Sequence, residues 1–331
     1  MTSGDDTRLF SPADLLSPAE LTAEARGALS PGEVERNRDL DAARMWLSRE
    51  DGLLVRGVKP HSAEKSRLVS RGIETVSSAM SGQWFASRFG VQYVELYSGP
   101  GRLLDVSTGR EQIGSPLEAL VVRKPFTHYV FADFSQDCVD ALSARVGTRH
   151  DVDTVRGDAN DLAHLGRIGE ILNPRALVIA YLDPARPQDL HWATVEHLAS
   201  RFKYLDLIIN LPVNSLMRGI LGAYHAGGRS PGAAGRFLNH AAPQELIAPN
   251  VDQPNTPATI DAIRRHYDDQ LLSLGFKKPA RRTVNFPADN PYYDILLASR
   301  HDRGLELWNK TNPIPVDPQL SLLGDDACDA D

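Results

Sequence analysis

The sequence predicts an α/β fold organised on a mostly parallel sheet, and three observations predict it. The first is a short apolar run, 91–94, that ends at Glu95 and opens into Tyr97-Ser98-Gly99-Pro100-Gly101. A strand followed by a two-glycine turn is where such a domain binds a nucleotide-like ligand, because a side chain there would block both the turn and the approach of backbone N–H groups. The second is a series of apolar runs ending in polar residues: 129–132 at Asp133, 152–155 through Gly157 at Asp158, 176–182 at Asp183, and 205–209 at Asn210. Those end-points lie 25, 25 and 27 residues apart, about the length of one strand, one crossover helix and two short loops. The third is a pair of apolar stretches, 276–286 and 292–299, joined by the turn-forming 287–291, which reads as an antiparallel hairpin closing the sheet.

Taken from the beginning, residues 1–60 read as a helical extension, with Ser17-Pro18 and Ser30-Pro31 as two helix starts. Leu68, Val69, Ile73, Val76, Met80, Trp84 and Phe85 recur at helical spacing, so 63–89 reads as an amphipathic helix against the sheet, with Gly72 or Gly82 as places for a break. After the glycine turn, 105–112 reads as a loop beside the ligand, and Ser115 as the N-cap of a helix with Pro116 and Glu118 in its first turn. Residues 211–257 hold glycines at 219, 222, 227, 228, 232 and 235; they read either as a mobile lid or as a surface insertion. A last helix is expected over 267–274, stopped by Gly275. The stretch 311–331, with five Asp and neither Lys nor Arg, reads as a disordered acidic tail.

Composition narrows the class. A chain of 331 residues with 42% apolar and 24% charged residues is an ordinary globular protein. No apolar run approaches the roughly 18 residues of a membrane span, and Met1-Thr2-Ser3-Gly4-Asp5-Asp6 lacks a secretion signal, so no membrane association and a cytoplasmic location are expected. Two cysteines, Cys138 and Cys328, make neither a disulfide framework nor a cysteine metal site, and the scattered histidines predict no metal. A net charge of −7 argues against broad binding to nucleic acid. Lys277, Lys278, Arg281 and Arg282 could still form a local basic patch for it, although they read first as a solvated strand edge. There is no phosphate-binding loop of the Gly-Lys-Ser/Thr type.

A parallel sheet finished by an antiparallel hairpin is the arrangement of S-adenosylmethionine-dependent methyltransferases. The run Tyr93-Val94-Glu95-Leu96-Tyr97-Ser98-Gly99-Pro100-Gly101-Arg102 is followed by Gly114-Ser115-Pro116, Phe131-Ala132-Asp133, Gly157-Asp158-Ala159-Asn160, Leu182-Asp183-Pro184 and Asn290-Pro291-Tyr292-Tyr293. In order and spacing these resemble the three-Cys-motif partner protein family, TcmP, over about residues 60–310. The resemblance implies a Rossmann-like methyltransferase domain over 61–310 with a seven-stranded sheet and N-terminal helices. It also implies a functional partner, a radical-SAM-like protein that carries the three cysteines itself.

With S-adenosylmethionine as cofactor, Tyr97, Ser98, Gly99 and Gly101 would border its methionine part and Glu95 its ammonium. Asp133 would take the ribose hydroxyls, Asp158 and Ala159 the adenine, and Asp183 would line the cleft where the methyl group leaves. Asp183 is the candidate base, with Tyr181 and Asn210 to orient the acceptor; Tyr181 reads first as a half-buried strand aromatic and only second as a catalytic residue. Enzymes that methylate base amines carry a second proline and an aromatic after the first proline, whereas this chain has Asp183-Pro184-Ala185-Arg186. The acceptor therefore stays open between nucleic acid and a nucleotide-like or small anionic molecule. Arg186 either holds an anion or pairs with Asp189, and the pair is the expectation. A dinucleotide cofactor is disfavoured because Leu104 stands where a third glycine belongs. The rival to an enzyme is a methyltransferase-like platform that binds a partner protein or nucleic acid without catalysis.

Overall fold

The computed structural model describes residues 45–58, 61–80, 84–106, 108–225, 232–247, 256–286 and 290–312. The two helix starts at Ser17 and Ser30, and nearly all of the acidic tail, lie outside the described residues. The strands are β1 (Met45–Leu47), β2 (Leu54–Val58), β3 (Val91–Glu95), β4 (Arg102–Asp105), β5 (Glu111–Ile113), β6 (His128–Asp133), β7 (Val152–Arg156), β8 (Leu177–Leu182), β9 (Leu205–Leu211), β10 (Ala280–Phe286) and β11 (Asn290–Ser299). The helices are α1 (His61–Met80), α2 (Trp84–Phe89), α3 (Ser115–Leu120), α4 (Gln136–Val146), α5 (Leu162–Ile171), α6 (Trp192–Arg201), α7 (Val213–His225), α8 (Gly232–Leu238), α9 (Thr256–Ser273) and α10 (Asp302–Thr311). None of the described helices is long and apolar enough to cross a membrane.

The main sheet has seven strands in the order β10-β11-β9-β8-β3-β6-β7. Six run the same way and only β11 is reversed, pairing antiparallel with both β9 and β10. This is the Rossmann-like S-adenosylmethionine-dependent methyltransferase fold; the spacing of the strand-end residues predicts its parallel strands, and the 276–299 hairpin its reversed one. The central strands β3, β8 and β9 are buried along their whole length, as helices on both faces require. Their side chains alternate between two cores. Val94, Val130, Val178, Ala180 and Leu182 face a core shared with Leu165, Val195, Leu216 and Ile263. Tyr93, Tyr129, Phe131, Ile179 and Tyr181 face the other, with Val69, Ile73 and Trp308. The aromatic side is knit further by Phe126, stacked on Tyr93 at 5.4 Å and edge-on to Tyr129 at 5.6 Å.

Several sequence expectations are corrected. Residues 45–58 are not helical: β1 and β2 pair antiparallel, and β2 pairs in parallel with β4. Gly57 makes the pairing close, since a Cβ there would meet the Trp46 ring at 1.8 Å. Nor is 105–112 simply a loop, because β4 and β5 form an antiparallel ladder. Together these strands make a second sheet, β1-β2-β4-β5, joined to the main domain at β2 and α4. Helix α1 does not break at Gly72; the missing side chain admits the Trp308 ring, which would lie 2.2 Å from a Cβ. The 211–257 insertion is largely helical, and Val213, Leu216, Ile220, Phe237 and Leu238 of α7 and α8 are buried. Apolar spacing outweighs the glycine content there. Helix α9 begins earlier than expected, at Thr256, and is not the last, because α10 follows.

Candidate functional site

The site starts at the turn after β3. Gly99 and Gly101 have φ of +59° and +88°, the left-handed region that side chains rarely adopt. A Cβ on Gly101 would also stand 2.8 Å from Leu142 Cδ1. The turn is fastened to β6. Ser98 N and Oγ both donate to the Ala132 carbonyl, at 3.0 and 3.1 Å. Gly99 N donates to Asp133 Oδ2 at 2.8 Å, while Ser135 N, at the start of α4, donates to Asp133 Oδ1 at 2.9 Å. Asp133 is 6% exposed, so its charge is held by backbone N–H groups, and each oxygen keeps a lone pair to accept another donor. The order of the sheet reverses beside β3, which lies between β8 and β6; this switch point is where open α/β sheets bind ligands.

Beyond the turn lies a cavity of about 240 Å³. Of the residues the sequence singles out, Tyr97, Ser98, Gly99, Gly101, Tyr181, Asp183 and Asn210 line it; Glu95, Asp133, Asp158 and Ala159 do not. On its floor, Lys65 Nζ contacts Asp183 Oδ1 and Oδ2 at 2.9 and 2.6 Å, and Asn210 Nδ2 donates to Asp183 Oδ1 at 2.7 Å. The same ammonium lies 5.9 Å from the Tyr293 ring, within cation–π range. Asp183 thus enters the cavity as an ion-paired, hydrogen-bonded carboxylate rather than a free base. Asn210 Oδ1 is buried with no hydrogen-bond partner, leaving an acceptor at the cavity wall.

Glu95 lies behind this floor, fully buried, and accepts hydrogen bonds from Ser115 Oγ and Tyr93 OH. Burial pushes its carboxyl up to about 8, with the nearby Asp183 charge adding to the rise and the Ser115 hydroxyl opposing it. Ser115, expected as a helix N-cap, makes no capping bond; Gly114 occupies the cap position of α3, because the Ser115 hydroxyl is drawn to Glu95 instead. Tyr181 is also buried, and its phenol is pushed well above its usual range by burial and by the charges of Asp183 and Glu95. It keeps its proton.

The residues expected near adenine sit apart from the cavity. Asp158 is exposed, its Oδ1 accepting from Asn160 N at 2.8 Å, and Ala159 is buried. Asn160 ties this loop to the segment before α6, donating to the Asp189 carbonyl at 3.0 Å and accepting from His191 N at 2.7 Å. Tyr97 OH donates to the same Asp189 carbonyl at 2.6 Å. Arg186 pairs with Asp189 at 3.1 Å, as expected. Of the basic residues on β10, Arg281 pairs with Asp268 at 2.6 Å and Asp294 at 3.0 Å, and Arg282 is buried against Asn312 and Asn309. Both are used inside the fold. Among the described residues no cluster of His, Cys, Asp or Glu is placed to hold a metal.

Three residues of this region escaped the sequence reading. Phe134, immediately after Asp133, is 70% exposed; an aromatic directly following a strand-end acid is a signal that could have found it. Lys65 is one polar residue among many on α1 and carries no such signal. Arg56 lines the cavity from β2, a strand read from sequence as helix.

No family model matches the sequence, and no curated protein matches it. Among solved structures, fibrillarin from Methanococcus jannaschii is 13% identical, with a TM-score of 0.33 over 63% of this chain and 65% of that one. Aeropyrum pernix fibrillarin, solved with natively bound S-adenosyl-L-methionine, is 12% identical, with a TM-score of 0.34 over 67% of this chain and 73% of the other. The magnesium protoporphyrin IX methyltransferase of Synechocystis, solved with bound SAH, is 14% identical, with a TM-score of 0.34 over 85% of this chain and all of that one. This chain thus spans a little under two thirds of the Methanococcus protein's length.

Proposed function

We propose that this protein is an S-adenosylmethionine-dependent methyltransferase. One observation carries the reading: a buried strand-end acid, Asp133, gripping the glycine turn through Gly99 N at the switch point of the sheet. The donor set suits the cofactor. Asp133 retains acceptor capacity for two ribose hydroxyls, and the exposed Phe134 ring beside it offers a face for a purine. The turn is open on its cavity side, since a Cβ on Gly99 would find nothing nearer than the Arg56 side chain at 3.8 Å.

When bound, the cofactor supplies a methyl group on a positively charged sulfur. The chain's own residues need only position and polarise the acceptor, since methyl transfer asks for alignment more than covalent help. Asp183, held by Lys65 and Asn210, would anchor a donor group of the acceptor at the carboxyl end of β8. Asn210 Oδ1 and the proton-bearing Tyr181 would fix its orientation. With Pro184 followed by Ala185 rather than by a second proline and an aromatic, no aromatic slot for a flipped base follows this strand. A small or anionic acceptor fits better. The sequence resemblance further supports membership in the TcmP family and action with a three-cysteine radical-SAM-like partner.

Calorimetric titration with S-adenosylmethionine and S-adenosylhomocysteine tests the reading, with Asp133→Ala as control. Binding by the wild type that the variant loses is the expected result. No binding by the wild type at millimolar ligand would remove the enzyme reading. A non-catalytic binding platform would then lead, and one observation favours it: the Lys65 ammonium already occupies the Asp183 carboxylate on the cavity floor.

A further inference from the structure

The small sheet β1-β2-β4-β5 carries several cations, and nearly all are accounted for. Arg102 pairs with Glu50 at 2.6 Å. Arg145 of α4 reaches across to Asp51 at 2.8 Å and to the carbonyls of Leu54 and Pro100. Ser48 and the Arg49 N–H both bind Glu111. Arg56, on β2, differs. It is half-buried and lines the cavity, and its side chain makes no hydrogen bond or ion pair to any described residue. Its Cζ, Nε and Nη1 stand 3.8, 3.9 and 4.0 Å from where a Cβ on Gly99 would lie, so the guanidinium hangs directly over the first glycine of the turn.

A guanidinium has five donors in a fixed fork and no acceptor. Half-burying it without a counter-ion is unfavourable, and its geometry matches a carboxylate through two parallel hydrogen bonds. The acids closest to the site are engaged elsewhere: Asp133 by Gly99 and Ser135, Asp183 by Lys65 and Asn210. An anionic ligand lying on the turn would supply the missing partner. On the methyltransferase reading, on which this inference rests, the ligand's amino-acid end lies there, and its one anionic group is an α-carboxylate. We infer that Arg56 clamps the α-carboxylate of the bound cofactor, so that the small sheet, which the methyltransferase fold does not itself require, is a cofactor-binding element.

The inference is tested by titrating wild type, Arg56→Ala and Arg56→Lys with two ligands, S-adenosylhomocysteine and its decarboxylated analogue, 5′-deoxy-5′-(3-aminopropylthio)adenosine. Arg56→Ala should weaken the first about tenfold or more, as loss of a charged hydrogen-bonded pair does. It should change the second by less than about twofold, and Arg56→Lys should recover part of the loss. Equal losses for both ligands would mean that Arg56 only supports the fold, and no loss for either would mean that it does not touch the ligand; each overturns the inference while leaving the methyltransferase reading in place. Failure of the wild type to bind either ligand would overturn both.

Discussion

Glu95 holds its proton at a pH where an ordinary glutamate has lost it. Its pKa is raised from 4.5 to about 8 by burial, so the folded state binds its proton more tightly than the unfolded chain does. A raised carboxyl makes stability fall as pH rises between those two values, at up to about 1.4 kcal/mol per pH unit, with the full cost present above the upper one. Glu95→Gln removes the titration and keeps one acceptor oxygen for the Ser115 hydroxyl, with its NH2 group left to donate to the Tyr93 hydroxyl. Its melting temperature should therefore gain on the wild type steadily from pH 5 to pH 8; parallel melting curves across that range would contradict the assignment. This acid was legible in the sequence as a residue that ends a strand, but its state was not. A neutral carboxyl behind Ser115 suits an ammonium less than the sequence alone implies. Asp133 was legible because it ends one of a regular series of apolar runs, although the glycine turn that it grips lies 34 positions earlier. Lys65 and Arg56 were not: neither belongs to that series of strand ends, and only tertiary packing brings them to the cavity.

At the scale of elements, α1 and α10 pose a direct contest between propensity and packing. Alanine favours a helix over glycine by about 1 kcal/mol, so propensity alone makes Gly72→Ala stabilising. Trp308 is fully buried against that position, and forcing a methyl group into a filled core costs about 1–3 kcal/mol. Gly72→Ala should lower the urea midpoint, and the loss should shrink when Trp308 is replaced by Leu; a raised midpoint would show that the ring can yield. The central strands of the main sheet were readable because β3, β8 and β9 are buried on both faces and run up to a polar residue, Glu95, Asp183 and Asn210. Those of the small sheet are three to five residues long and come from two separate segments, so no local period announces them. The glycines of 211–257 misled for a related reason. Gly219, Gly222, Gly232 and Gly235 sit on helices whose buried apolar residues, among them Val213, Leu216, Ile220, Phe237 and Leu238, are what packs.

For the whole molecule, the cavity lies where the large sheet, the small sheet and α1 meet, with lining residues from each. A ligand there binds the assembled state only, so it must stabilise the entire fold. At a hundred times its dissociation constant, S-adenosylhomocysteine should add about 2.7 kcal/mol, which for a domain of this size is a rise of roughly 5 °C in melting temperature. A melt left unmoved at that concentration would mean that the ligand does not bind the folded state in preference to the unfolded chain.

The meeting of α1 with α10 also sets an order of assembly. Asn312 Nδ2 donates to the Leu68 carbonyl across 244 positions of sequence, and Trp308 seats on Gly72 of the same helix. That helix carries Lys65 to the cavity floor. A chain emerging from the ribosome therefore makes α1 well before the helix that braces it, and closing so long a loop is slow. The sheet and its glycine turn can form first, with α1 held meanwhile by Ser70, Glu74 and Ser77 on residues 118–124, and residues 302–312 complete the brace behind the cleft.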